Sequence, residues 1–182
     1  MDTVIGLQEE LDCFLTILWR KSKFMLIFKL ESQTTDEVSR IFNILQELIP
    51  HEEYKRLFQV ILTDNGHEFF DVNNIECIQS TGEYVTHLFF CNPHMSCQKG
   101  MIEKNHEFIR YILPKGSSLK NITQEDCDLF MNNINSLCRD SLNGKCPYEA
   151  MLFLCDEYIL KKLNCYFIEP DEVVLNDSLL KH

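Results

Sequence analysis

Three acidic residues stand out by type and position: Asp2, Asp64 and Glu103. Asp64 follows the apolar run Val60-Ile61-Leu62 and opens an Asp-Asn-Gly turn signal. A carboxylate there lies at the carboxyl end of a buried strand, the edge where open α/β sheets do chemistry. The plainer alternative is that Asp64 only begins a turn. Asp2 sits in a β-prone start, MDTVIG. Glu103 falls on a helical stretch, Lys99 to Leu113, whose buried side is Met101, Asn105, Phe108, Ile109 and Ile112. Glu103 shares the opposite side with Lys99, His106, Glu107 and Arg110, and such a side is ordinarily a solvated, ion-paired surface. If folding sets carboxylates side by side, they repel unless a cation joins them. Oxygen-only donors with room for water and phosphate suit Mg²⁺ or Mn²⁺. Two such ions can activate an attacking oxygen and stabilise a leaving oxygen in phosphoryl transfer.

The elements that must position these acids can be read in order. MDTVIG, CFLTILW (13–19) and FMLIFKL (24–30) are three strands joined by short connections, which favours an antiparallel meander. Thr34 to Ile49 is an amphipathic helix with an apolar face of Val38, Ile41, Phe42, Leu45, Leu48 and Ile49. Thr34 and Glu37 fit a capping box, and Pro50 stops the helix. The Asp64 strand follows, then a short helix over 68–80, a fifth strand over 84–90, and a loop from Cys91 to Gln98. After the Glu103 helix, Thr123 and Asp126 cap another, and Pro147 opens a third. The order β-β-β-α-β-α-β-α-α-α matches a ribonuclease H-like α/β fold. A five-stranded mixed sheet flanked by helices is expected, with the Asp2 and Asp64 strands adjacent. Residues 1–155 form the core and 156–182 a C-terminal tail.

At 182 residues, 45% of them hydrophobic, the chain can bury a proper core. No apolar run is long enough to span a bilayer. Nine cysteines, an odd number without a C-x-x-C pair, read as buried free thiols in a reducing cytoplasm. A zinc site from Cys91, His94 and Cys97 would need a fourth ligand. The net charge of −11 opposes nucleic-acid binding by bulk electrostatics, so any DNA role needs a local basic strip or a metal. Lys99, Lys104, Arg110 and Lys115 form the candidate strip, and solubilising charge is its alternative reading. His67 and His106 read as surface histidines rather than groups behind a metal. Asn65 and Gly66 read as turn residues that aim Asp64.

The stretches MDTVIG, RKSKF, TDNGHEF, QKGMIEKNHEFIRYILPKG, ITQEDCD, GKCPYEA and EPDEVVLNDSLL carry a resemblance across almost the whole chain. The chain resembles the catalytic core of bacterial insertion-sequence transposases of the IS-thirty group, within the retroviral-integrase-like DDE superfamily. The resemblance implies that Asp2, Asp64 and Glu103 are the catalytic and metal-binding triad. It implies two Mg²⁺ (or Mn²⁺) ions, with Asp2 bridging them, Asp64 on one and Glu103 on the other. The implied chemistry is hydrolysis at transposon ends and attack of the freed 3′-hydroxyl on target DNA, by a homo-oligomer. Two departures from the family pattern stand out. The family pattern carries an N-terminal helix-turn-helix and a first strand that extends several residues further upstream, and these 182 residues include neither, as expected of a truncated reading frame or an excerpt of a longer protein. The alternative expectation is therefore a catalytically inactive truncated remnant acting only as an interaction module.

Overall fold

The computed structural model describes residues 1–92 and 98–180. Three strands, β1 (Asp2–Ile5), β2 (Cys13–Leu18) and β3 (Met25–Leu30), form the antiparallel meander, in the order β1-β2-β3. β2 is central, and its residues Cys13 to Ile17 are buried. β3 is an edge strand, and its free backbone groups are taken by side chains of a helix. Asn135 accepts from the Met25 amide and donates to its carbonyl, at 2.9 and 2.8 Å; Gln124 does the same for Lys29 N–H and Ile27 C=O. Covering an edge in this way blocks stray strand pairing.

Helix α1 (Thr35–Leu48) forms as its periodicity requires, with Val38, Ile41, Phe42 and Leu45 buried. Thr34 accepts from the Glu37 amide, but the Glu37 carboxylate turns to Arg40 and the Glu31 amide, so only half of the expected capping box is made. Pro50, expected as a stop, is also the N-cap of a second helix, α2 (His51–Leu57). α2 is seated by an aromatic cluster: Tyr54 stacks on Phe58 at 4.7 Å, and Trp19 meets Phe58 edge-on at 5.3 Å. The expected helix over 68–80 is instead a 3-10 turn (His67–Phe69) and a short α3 (Val72–Glu76). The break follows from Glu68, which is drawn inward by hydrogen bonds instead of lying on a helix surface.

Strands β4 (Val60–Thr63) and β5 (His87–Phe90) pair in parallel, from Val60 opposite His87 to Thr63 opposite Phe90. Among the described residues the expected single five-stranded sheet is not seen; there is a three-stranded sheet and a two-stranded one. β1 does approach β4, but it does so at Met1, whose nitrogen donates to the Leu62 carbonyl at 2.6 Å. One hydrogen bond makes a junction and not a ladder. An open cavity of about 530 Å³ lies between the two sheets, walled by Ile17, Leu18 and Trp19 on one side and Val60, Ile61 and Leu62 on the other.

The helical half comprises α4 (Gly100–Ile112), α5 (Gln124–Ser136), α6 (Pro147–Met151) and α7 (Glu157–Lys162). α5 carries a full capping box from Thr123 and Asp126, and α6 has its proline in the first turn. Residues 156–180 pack onto α5: Leu160 and Cys165 are fully buried, and Asn132, Asn133 and Ser136 accept from the amides of Tyr166, Val174 and Ile168. Among the described residues, no helix is long and apolar enough to cross a membrane.

Candidate active site

The site begins with the way β1 is pinned. Thr16, opposite Asp2 on β2, donates its hydroxyl to the Asp2 carbonyl at 3.0 Å. Its oxygen also lies 2.8 Å from His106 Nε2 on α4. The threonine proton is committed to Asp2, so the bond to His106 needs Nε2–H as donor. That leaves Nδ1 bare, 3.9 Å from the second Asp2 oxygen. Burial pushes His106 down to about 4, with Asp2 pulling the other way, so the ring is neutral near pH 7. At the far end of β1, Arg110 donates to the Ile5 carbonyl at 3.1 Å. Both ends of the strand that bears Asp2 are thus held by α4.

Asp64 leaves β4 at the junction with β1. Its Oδ1 accepts from the Gly66 amide at 3.2 Å, an Asx turn that aims the carboxylate. Gly66 has an ordinary φ of −63°, so its glycine is required by space and not by backbone conformation. A Cβ there would stand 2.5 Å from Glu68 Oε2. Glu68 is 4% exposed, and its Oε1 accepts from Thr3 and Gln33 at 2.8 and 2.7 Å. The Asn-Gly-x-Glu run is therefore one packed unit behind Asp64.

Asp2 and Asp64 meet over Lys99. The ammonium of Lys99 lies 2.5 Å from Asp2 Oδ1 and 2.8 Å from Asp64 Oδ2. The two carboxylate oxygens thus point at one cation position. Burial alone would lower the Lys99 pKa, but hydrogen bonds to both aspartates outweigh it and raise it above the ordinary lysine value. Side-chain exposure is 9% for Lys99, 14% for Asp2 and 48% for Asp64, so the bridge is closed on the Asp2 side and open to solvent on the Asp64 side.

The remaining candidates divide. Glu103 lies one turn beyond Lys99 and is exposed; among the described residues no three Asp, Glu, His or Cys side chains converge as a metal site. Lys104 and Lys115 are exposed, as a basic strip needs. Lys99 is not part of an open strip: the helix-wheel argument put it on the solvent side, but it is the N-cap of α4, and its side chain turns in to two carboxylates. Arg110 is half-buried and engaged with β1. His106 is likewise no surface residue, whereas His67 is exposed. His94 and Cys97, two of the three zinc candidates, lie outside the described residues. Thr16 and the inward turn of Lys99 were missed because their partners are far away in sequence. Only the apolar spacing around Thr16 marked it as strand.

The fit to a divalent cation can be tested on this geometry. Asp2 and Asp64 supply hard oxygen donors aimed at a point that already holds a positive charge, and the Asp64 side is open to water and substrate. Those two residues fit such an ion; Glu103 does not reach the same point.

No protein-family model matches the chain. The ORF3 product of Spiroplasma virus SpV1-R8A2 B, named as a candidate integrase, is 29% identical over 152 residues, covering 84% of this chain and 44% of that protein. The transposase for insertion sequence element IS1086 of Cupriavidus metallidurans is 29% identical over 133 residues, 72% of this chain and 36% of the relative. Transposase InsI for insertion sequence element IS30C of Escherichia coli is 30% identical over 136 residues, 75% of this chain and 33% of the relative. The chain spans between a third and under half of the length of these relatives. With the same kinship extending to a Bacteroides fragilis transposase at 27% identity, the chain is a relative of the IS30-type insertion-sequence transposases.

Proposed function

We propose that the chain is the catalytic core of a DDE transposase, with a ribonuclease H-like layout, that cuts and joins DNA at Asp2 and Asp64. The observation that carries this reading is the convergence of the two aspartates, from separate sheets, on one cation position. Asp2 Oδ1 and Asp64 Oδ2 would hold a Mg²⁺ or Mn²⁺ ion, and Glu103, one turn along α4, is the candidate for bringing a second. Bound there, such ions supply Lewis-acid stabilisation of the phosphate oxygens and a more acidic attacking hydroxyl. The chain's own residues do the positioning. Thr16 and His106 fix the backbone of Asp2, Gly66 orients Asp64, and Arg110 ties β1 to α4. Lys104 and Lys115, exposed on and just beyond α4, would meet phosphates in this reading. The substrates in this reading are transposon ends and target DNA, and the working unit is a homo-oligomer.

The test is nicking of supercoiled plasmid DNA with Mn²⁺, paired with Mn²⁺ binding followed by electron paramagnetic resonance. Wild type should bind Mn²⁺ and nick, EDTA should abolish nicking, and Asp2→Asn and Asp64→Asn should each lose both properties. Nicking that survives in both variants would place the chemistry elsewhere.

A further inference from the structure

We propose that Lys99 is a built-in competitor for the metal: its ammonium occupies the cation position between Asp2 and Asp64, and it must swing out before a divalent ion can enter. This rests on the metal-site reading above and adds a step of control to it. The geometry is specific. Lys99 makes two charge-assisted hydrogen bonds, one to each aspartate, and both carboxylate oxygens are thereby aimed at its nitrogen. A hard divalent ion would use the same two oxygens. An ammonium and a metal ion cannot share that point, since both need the same two oxygens and like charges at contact distance repel.

Lys99 is also built to move. It stands at the N-cap of α4, outside the helical ladder proper, and its side chain makes no cap hydrogen bond. Its flexible stem borders the open cavity between the sheets, beside Gln98 and Met101. That space can receive the side chain without displacing core residues. The consequence is a gated site. In the metal-free chain the lysine holds the two carboxylates together and balances one of their two charges, so their mutual repulsion is reduced. Loading exchanges a single positive charge for a double one, and frees a lysine beside the reacting phosphate.

Two measurements test this on the full chain. The first is Mn²⁺ affinity by electron paramagnetic resonance for wild type, Lys99→Met and Asp64→Asn. Lys99→Met keeps the apolar stem and removes the competing charge, so Mn²⁺ should bind roughly tenfold or more tightly. The second uses wild type alone and does not depend on the variant folding: lysine acylation read by mass spectrometry, with and without Mn²⁺. Lys99 should be protected without metal and labelled with it, while Lys29, paired with Asp12, stays unchanged. If Lys99→Met and wild type bind Mn²⁺ equally and Lys99 stays protected at saturation, the competitor role is overturned, and loss of binding in Asp64→Asn would leave the metal site standing. If wild type and Lys99→Met both fail to bind Mn²⁺, the metal-site reading and the competitor role fall together.

Discussion

Replacing Gly66 by alanine gives a direct test of how Asp64 is aimed. The new methyl would lie 2.5 Å from Glu68 Oε2, 2.8 Å from its Cδ and 2.9 Å from Oε1. Something must give, and the tip of Glu68 is the movable part. Moving it breaks hydrogen bonds from Thr3 and Gln33, which are worth about 1.5–3 kcal/mol each when the acceptor is a carboxylate. Against this, alanine at a φ of −63° is unstrained and stabilises by about 0.4–1 kcal/mol through the unfolded chain. Losing one bond outright and weakening the other gives a net destabilisation of about 1–4 kcal/mol. Urea unfolding of four proteins measures it: wild type, Gly66→Ala, Glu68→Ala and the double variant. With Glu68 shortened the clash vanishes, so Gly66→Ala in that background should be neutral or stabilising by up to about 1 kcal/mol. An equal loss in both backgrounds would refute the packed-unit account of the Asn-Gly-x-Glu run.

Other outcomes follow from the same geometry. Asp64→Asn should destabilise the metal-free chain by under about 1 kcal/mol, because Asp64 is half-exposed and Lys99 keeps Asp2. Asp2→Asn should destabilise it by about 2–3 kcal/mol, since a mostly buried partner of a charged hydrogen bond is lost; thermal melts without metal compare the two. Among the described cysteines, iodoacetamide should label exposed Cys138 first in the native chain, while Cys13, Cys127 and Cys165, whose thiols burial pushes well up, label only after denaturation, as mass spectrometry would read. Lys104→Ala and Lys115→Ala should each weaken non-specific DNA binding and lower the salt slope of the binding constant by about 1, whereas substitutions that leave the slope unchanged would remove those residues from the interface.

Much of the fold was legible because it rests on local signals. The α1 face, the Thr123–Asp126 box and the meander of β1 to β3 follow from periodicity, capping and short connections. α2 was not legible: Pro50 reads as a stop, and the same proline supports a new start one residue later. The 68–80 helix failed because a carboxylate in an apolar-looking pattern, Glu68, found buried partners that no spacing rule reveals. At the site, the positions of Asp2 and Asp64 were readable from strand ends and turn chemistry. Their cation partner was not. Lys99 escapes the wheel of a helix it barely belongs to, and its inward turn is dictated by charges 97 and 35 residues away. The second sheet was also illegible, since a strand pattern does not say whether its neighbour bonds along a ladder or at one point.

The way the two sheets meet has a mechanical consequence. Asp2 rides on the antiparallel sheet and Asp64 follows the parallel pair, and between them run the Met1–Leu62 backbone bond and the side-chain bond from Thr3 to Glu68. The gap between the carboxylates is therefore a readout of how the two sheets lean on each other. A cation seated there works as a clasp: it stiffens the joint, and its hold slackens as the sheets splay, since attraction falls with distance. The cavity between Ile17–Trp19 and Val60–Leu62 opens along the same joint. The distance between the two carboxylates, and with it their hold on the Lys99 ammonium, therefore depends on how the two sheets are set against each other as well as on the side chains that touch it.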